Sequence, residues 1–238
     1  MLDRIFGKIS SNLINLSHLI QIRGHLFYSR CIDQNSLVVD LGANKGDFSL
    51  QIVQAFGCKC YALEASPGLY EAIPKDQHIK KFNLAVCKKN GPISFYLSSN
   101  LEASTIVNDI KKAWDSFGTI IVDGITLEDF LIRNKISSVD LLKIDIEGAE
   151  IEVLDSISDD TLRTIKQITV EFHQFCKGIN CGEDITRIKK RFNNLGFICI
   201  AMRLDNTDVL FINDYKINFK WLERFYVKLL ISFCNRKR

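Results

Sequence analysis

The chain has 238 residues, 47% of them hydrophobic, 25% charged and only three of them proline. That is enough apolar sequence for one sizeable core and too little proline or low-complexity sequence for linker-separated domains. A formal net charge of +3, without a basic stripe interleaved with aromatics, gives no footprint for nucleic acid, and none is expected as a partner. The eight cysteines contain no Cys-x-x-Cys pair, so zinc is not expected and a reduced, cytoplasmic chain is. No run reaches the roughly 18 apolar residues of a membrane span, and the N-terminus shows no signal-peptide core or cleavage site.

Residues 1–35 are expected to form a helical cover, because Ile5, Ile9, Leu13, Leu16 and Ile20 recur at helical spacing. His18 and His25 lie in this stretch and are read as structural or exposed. A domain over 36–213 follows. Val38 to Leu41 reads as a strand, Gly42-Ala43-Asn44-Lys45-Gly46 as a turn, and Phe48 to Phe56 as a helix. In α/β folds a strand, a glycine turn and a helix hold a nucleotide-like cofactor against free N–H groups. The pattern lacks the third glycine of a dinucleotide fingerprint, and Asp40 and Asp47 would repel phosphates. It suits a cofactor carrying a cation, such as the sulfonium and ammonium of S-adenosylmethionine.

The second strand, Cys58 to Leu63, ends in Glu64, where nucleoside-binding folds place an acid to accept from ribose hydroxyls. Ser66 and Pro67 then fit the N-cap and first position of a helix. Ile79 to Phe82 is a third strand, running into the small and polar Asn83-Leu84-Ala85-Val86. Val86 is expected to pair as a hairpin with the alternating run Ile93 to Leu97. The segment from Ser98 to Gly124, with Ser104, Thr105 and Trp114, reads as an irregular cover of the site. Thr126 to Asp129 is a capping box.

The stretch from Val139 reads as an apolar strand ending at Asp145, and Gly148 bends the chain into a helix. Lys143 shares a face with Asp145 and needs a partner there, with Asp145 or Glu171 the candidates. The helix dipole explains Glu147 and Glu150 better than it explains Asp145. The next strand, Ile165 to Phe172, puts Glu171 and His173 on one face at its C-terminal end, where open α/β sheets place their sites. A helix from Asp184 to Leu195 and an antiparallel pair, Phe197–Met202 with Asp208–Ile212, close the domain. Residues 214–238 form an apolar stripe with basic residues around it. They are read as a terminal helix packed on the domain or on a second copy, the alternative being an interfacial helix at a membrane face.

The motifs VVDLGANKGDFS, ALEASP, NLAV and above all LLKIDIEGAEIEVL resemble the FkbM family of S-adenosylmethionine-dependent methyltransferases, from about Ser36 to Ile212. The resemblance implies a Rossmann-like class I methyltransferase fold: a mostly parallel seven-stranded sheet, helices on both faces, cofactor at the strand C-termini. It also implies O-methyl transfer to a saccharide or other small natural-product hydroxyl. Carried over by position, Gly42, Asn44 and Gly46 hold the methionine portion with Asp40 near the ammonium. Glu64 binds ribose, Asn83 and Ala85 border adenine, and Asp145 sits beside the sulfonium and acceptor. His173 or Asp145 would serve as the base. Asp145, Glu147, Glu150 and His173 could ligate Mg²⁺ or Mn²⁺, but no tight ligand motif is present, so a metal is left out. The competing reading is a non-catalytic cofactor-binding or scaffold protein.

Overall fold

The computed structural model describes residues 18–98, 104–107, 116–173, 182–201, 207–217, 219 and 223–229. The expectations for residues 1–17, for Trp114, for the loop at 176–181 and for most of the C-terminal tail lie outside the described residues.

A hairpin opens the described chain, β1 (Leu19–Ile22) and β2 (His25–Tyr28) paired antiparallel. This corrects the expectation of helix over the second half of 1–35. Arg23 and Gly24 both have positive φ, the two-residue turn that matches the twist of a hairpin. It separates two short runs whose periodicity is that of strands. Ile20 continued a helical spacing only by coincidence.

The main sheet is built from β3 (Leu37–Leu41), β4 (Lys59–Leu63), β5 (Ile79–Phe82), β9 (Leu141–Ile144), β10 (Gln167–Glu171), β11 (Phe197–Ala201) and β12 (Asp208–Asn213). Its order is β11-β12-β10-β9-β3-β4-β5. The pairs from β10 to β5 are parallel, and β12 is antiparallel to both neighbours. The expected closing strand pair is therefore present. The near-continuous apolar runs of β3 and β9 are what a strand covered on both faces requires.

Alternation sorts the sheet into two cores. Val39, Leu41, Leu142, Ile144, Ile168 and Val170 face α3 (Leu127–Arg133), α4 (Glu150–Ser156), α5 (Asp159–Thr164) and α6 (Gly182–Asn194), which contribute Phe130, Val153, Leu154, Leu162, Ile188 and Phe192. Val38, Cys60 and Leu141 face the other way, onto Phe48, Ile52 and Val53 of α1 (Asp47–Phe56) and Phe27 of the hairpin. Beside them α2 (Pro67–Ala72) runs into Ile73, which packs with Ala43 and Ala62. The hairpin is tied across the sheet by Gln167, whose Oε1 accepts the Tyr28 N–H at 2.8 Å while its Nε2 donates to Tyr28 O at 3.1 Å. Leu19, Leu26 and Tyr28 pack with Leu210, Ile212 and Val227. Glu223 accepts from Tyr28 and Arg30, so the helical segment 223–229 docks on the hairpin.

A smaller sheet holds β6 (Ala85–Val86), β7 (Gly91–Ser98) and β8 (Ser116–Ile125) in the order β6-β8-β7. It corrects two expectations. Val86 and the Ile93 run do not pair with each other; both pair with β8, in parallel and antiparallel respectively. The C-terminal part of the segment read as irregular is thus a ten-residue strand. Thr119-Ile120-Ile121-Val122 carried that signal in its β-branched composition.

The ends of β3 and β9 lie unusually close. A Cβ on Gly42 (φ +77°) would stand 1.8 Å from the backbone oxygen of Asp145. Gly42→Ala is therefore expected to cost roughly 2–4 kcal/mol, from overpacking and left-handed strain together. Urea denaturation checks this; a loss below about 1 kcal/mol would show that the two strand ends can separate.

Candidate functional site

The site lies at the C-terminal ends of β3, β4 and β9. A cleft opens there, walled among others by Gly42, Asn44, Glu64, Ala85, Asp145 and Glu147. Ser104 and Ile106, from the stretch expected to cover the site, also line it.

Glu64 is the most constrained group on the wall. Its Oε2 accepts the Asn44 N–H and its Oε1 the Ser66 N–H, each at 2.8 Å. The left-handed backbone of Asn44 (φ +54°) turns that N–H toward the carboxylate. Ser66 is the N-cap residue, but its side chain makes no capping bond; its N–H is instead satisfied by Glu64. Burial pushes the Glu64 carboxyl up to about 7, and the two N–H groups oppose that rise.

Beneath the cleft floor lies a buried ion pair. The β3–β9 register places Asp40 opposite Lys143, and Lys143 Nζ meets Asp40 Oδ1 at 2.9 Å and donates to Gly42 O at 2.8 Å. Ser49 donates to the other Asp40 oxygen at 2.6 Å. Both charges are almost fully buried. Burial acts to lower the Lys143 pKa, but Asp40 and Asp145 outweigh it and hold the lysine above its ordinary value. The lysine's main partner is thus Asp40, with Asp145 at 3.6 Å; among the described contacts Glu171 is not a partner. Asp40 is no wall of the cleft.

Asp145 is a junction. Besides Lys143, its Oδ2 lies 3.5 Å from His25 Nε2, and its Oδ1 lies 3.7 Å from His173 Nε2. Burial would raise its pKa; the Lys143, His25 and His173 charges pull it well below the carboxylate range instead. His173 Nε2 is 2.9 Å from Glu147 and its Nδ1 is 2.9 Å from Glu150. Glu150 also accepts the N–H groups of Ile146 and Gly148 at 3.1 and 3.0 Å. Burial alone would lower the His173 pKa, but the Glu150 and Glu147 carboxylates override it and carry the imidazole up to about 12. Carboxylates on both ring nitrogens favour the protonated ring. Glu147 itself is raised by burial, against the pull of His173.

The residues singled out in the sequence thus separate. Gly42, Asn44, Glu64, Ala85 and Asp145 stand on the cleft, and His173 stands behind Asp145 and Glu147. Gly46 is the left-handed N-cap of α1 and, like Asp40, is not on the wall. Asn83 is exposed, and its amide donates to Glu64 O and Ala65 O at 2.9 and 3.1 Å, fixing backbone rather than lining the cleft. Two residues were not assigned to the cleft, Glu147 having been weighed only as a helix-start acid or a metal ligand. Glu147 reads as a helix-start acid, yet its left-handed backbone (φ +56°) leaves it on the cleft wall. His25 is 3% exposed and reaches Asp145 from the hairpin; the Arg-Gly turn before it was the available signal.

Comparison with known proteins places the chain in a family. The family model described as the methyltransferase FkbM domain matches residues 40–199. The chain is 25% identical over 185 residues to "Methyltransferase sdnD" of Sordaria araneosa, covering 61% of this chain and 71% of that one. It is 26% identical over 179 residues to "Methyltransferase 1" of Beauveria bassiana, covering 63% and 72%. Among solved structures it is similar to M. capricolum TrmK in complex with S-adenosyl-homocysteine, at 8% identity and a TM-score of 0.43, with 95% and 96% of the two chains covered. The strand order, with its single antiparallel strand next to the edge, is that of the class I methyltransferase fold. The chain belongs to the FkbM family of methyltransferases.

Proposed function

We propose that the protein transfers a methyl group from S-adenosylmethionine to a hydroxyl oxygen of a saccharide or other small natural-product acceptor. The observation that carries the cofactor is Glu64: a carboxylate at the end of β4, fixed by two backbone N–H groups and standing on the cleft wall across from Ala85. That placement suits the two hydroxyls of a ribose, and the apolar wall of Leu69, Ala85 and Val86 suits a flat base. The cofactor supplies an electrophilic methyl on a sulfonium. Gly42 and Asn44 border its amino-acid end, and Asp145, a carboxylate held ionised by its cationic neighbours, stands beside the sulfonium and the acceptor. Asp40 contributes from below, by fixing Lys143, rather than by touching the ligand.

An acceptor hydroxyl loses its proton as it attacks, and a base must be within hydrogen-bond reach. His173, already protonated, is a donor in this arrangement and not that base. It holds Glu147 and Glu150 in place. Glu147, on the wall and with its pKa raised by burial, is the carboxylate positioned to take the proton, and Asp145 orients the oxygen.

Calorimetric titration with S-adenosylmethionine, with NAD as the control, tests the cofactor. Saturable binding of the former alone is expected. Absence of binding would favour a methyltransferase fold used as a scaffold. For the acceptor step, Glu147→Gln is expected to lower kcat by roughly 10²–10⁴-fold with cofactor affinity nearly unchanged. A turnover equal to that of the parent chain would remove Glu147 from the base role.

A further inference from the structure

A second group of ligating side chains stands beside the cleft, contributed partly by the hairpin that precedes the family-matched residues. His25, Asp145 and Glu171 each present a ligating atom, and these atoms lie within 4.8 Å of one another. The three come from β2, the end of β9 and the end of β10: the parallel β9–β10 register carries Asp145 alongside Glu171, and His25 reaches them from the separate hairpin. His25 Nε2 points at Asp145 Oδ2 from 3.5 Å, and the ring is set by an edge-on contact with Phe48, centroids 5.6 Å apart. At 3% exposure its Nδ1 has no hydrogen-bond partner. That nitrogen is on the ring edge away from Asp145, so the atom offered to a ligand beside Asp145 is Nε2.

The surroundings fit a cation. Glu171 accepts no hydrogen bond among the described residues, and the Asp145 charge beside it adds to burial in raising its pKa to about 7. Lys143 approaches the same Asp145 oxygen from 3.6 Å, but its charge is already matched by Asp40 at 2.9 Å. His173, on the other Asp145 oxygen, is engaged by Glu147 and Glu150. Two carboxylates and one imidazole are a borderline-hard ligand set, suited to a first-row divalent ion.

We propose that His25, Asp145 and Glu171 bind one divalent cation of the Mn²⁺ class at the edge of the cleft. The site rests on the proposed function only in what the ion is for. Because Asp145 is also a cleft wall, an ion held there stands at the acceptor end and takes oxygen ligands from a polyhydroxyl acceptor. It also gives the hairpin a functional part: without β2 the site lacks its only nitrogen ligand.

The test uses the full chain, stripped with a chelator and titrated with Mn²⁺ alone, free ion being followed by electron paramagnetic resonance. One tightly held Mn²⁺ per chain is expected. His25→Gln and Glu171→Gln should each weaken it by at least about tenfold. Glu171 is only partly buried, so its variant stays informative if His25→Gln does not fold. No saturable uptake, or equal uptake in both variants, overturns the proposal. Loss in His173→Gln with none in Glu171→Gln also overturns it, moving the ion to the neighbouring Asp145, Glu147 and His173 group. S-adenosylmethionine titrations run in parallel separate the two claims. Cofactor binding without Mn²⁺ uptake leaves the methyltransferase reading intact, and Mn²⁺ uptake without cofactor binding does the reverse.

Discussion

Lys143→Met is expected to lower the unfolding free energy by roughly 3–5 kcal/mol, because it strands the Asp40 carboxylate in the core. Asp40 is fully buried, and with the lysine gone it keeps the Ser49 hydroxyl as its near partner. Desolvation of an unpaired carboxylate far exceeds what one hydroxyl returns. The lysine also ties Gly42 O, so its loss frees the first turn of the cofactor loop. Urea denaturation at neutral pH measures the change. The double variant Asp40→Leu with Lys143→Met removes both charges and should recover much of the loss, since two apolar residues of similar volume replace the pair. A single-variant cost below about 1 kcal/mol would mean that water reaches Asp40 and that the pair is not sealed.

The second large effect falls on the cofactor. Glu64→Gln is expected to weaken S-adenosylmethionine by about 1.5–3 kcal/mol, or roughly ten- to hundredfold in Kd, through loss of charge-assisted bonds to the ribose. The carboxyl sits at about 7, and ribose hydroxyls donate to its ionised form. Affinity should therefore fall as the pH drops through that value, by about tenfold between about pH 8 and about pH 6. Stability of the unliganded fold runs in the opposite direction. A pKa raised from 4.5 to about 7 gives a contribution fully present below the unfolded value and lost as pH rises through the folded one. Calorimetry across this range checks both signs. In the Gln variant the pH dependence of affinity should vanish and that of stability should shrink to what Glu171 and Glu147 contribute; a Kd that stays pH-dependent there would assign the titration to another group.

Part of this molecule was legible from one chain. The parallel core followed from apolar runs ending in an acid or glycine, because a strand covered on both faces can carry almost nothing else. The turn at Gly42 to Gly46 followed from glycines where the backbone needs positive φ or close approach. Glu64 and Asp145 were found because acids at the C-terminal ends of parallel strands face a crevice that the topology itself creates. Among the described residues no helix is long and apolar enough to cross a membrane, as the absence of a long apolar run in the sequence suggested.

Other features depend on distant segments. Asp40 reads as a ligand-side acid until the β3–β9 register sets Lys143 opposite it; a partner 103 positions away leaves no local trace. His173 reads as a strand-end histidine, whereas in space Glu147 and Glu150 meet both of its ring nitrogens. The hairpin was missed because helical spacing and strand alternation overlap over four-residue elements, and its fixed position comes from Gln167 on β10. The same long reach brings His25 to Asp145. Local sequence thus determined which strands and turns exist and which acids stand at their ends. Tertiary structure decided which of those charges are neutralised, since charge pairing in a low-dielectric interior depends on distance in space and not along the chain.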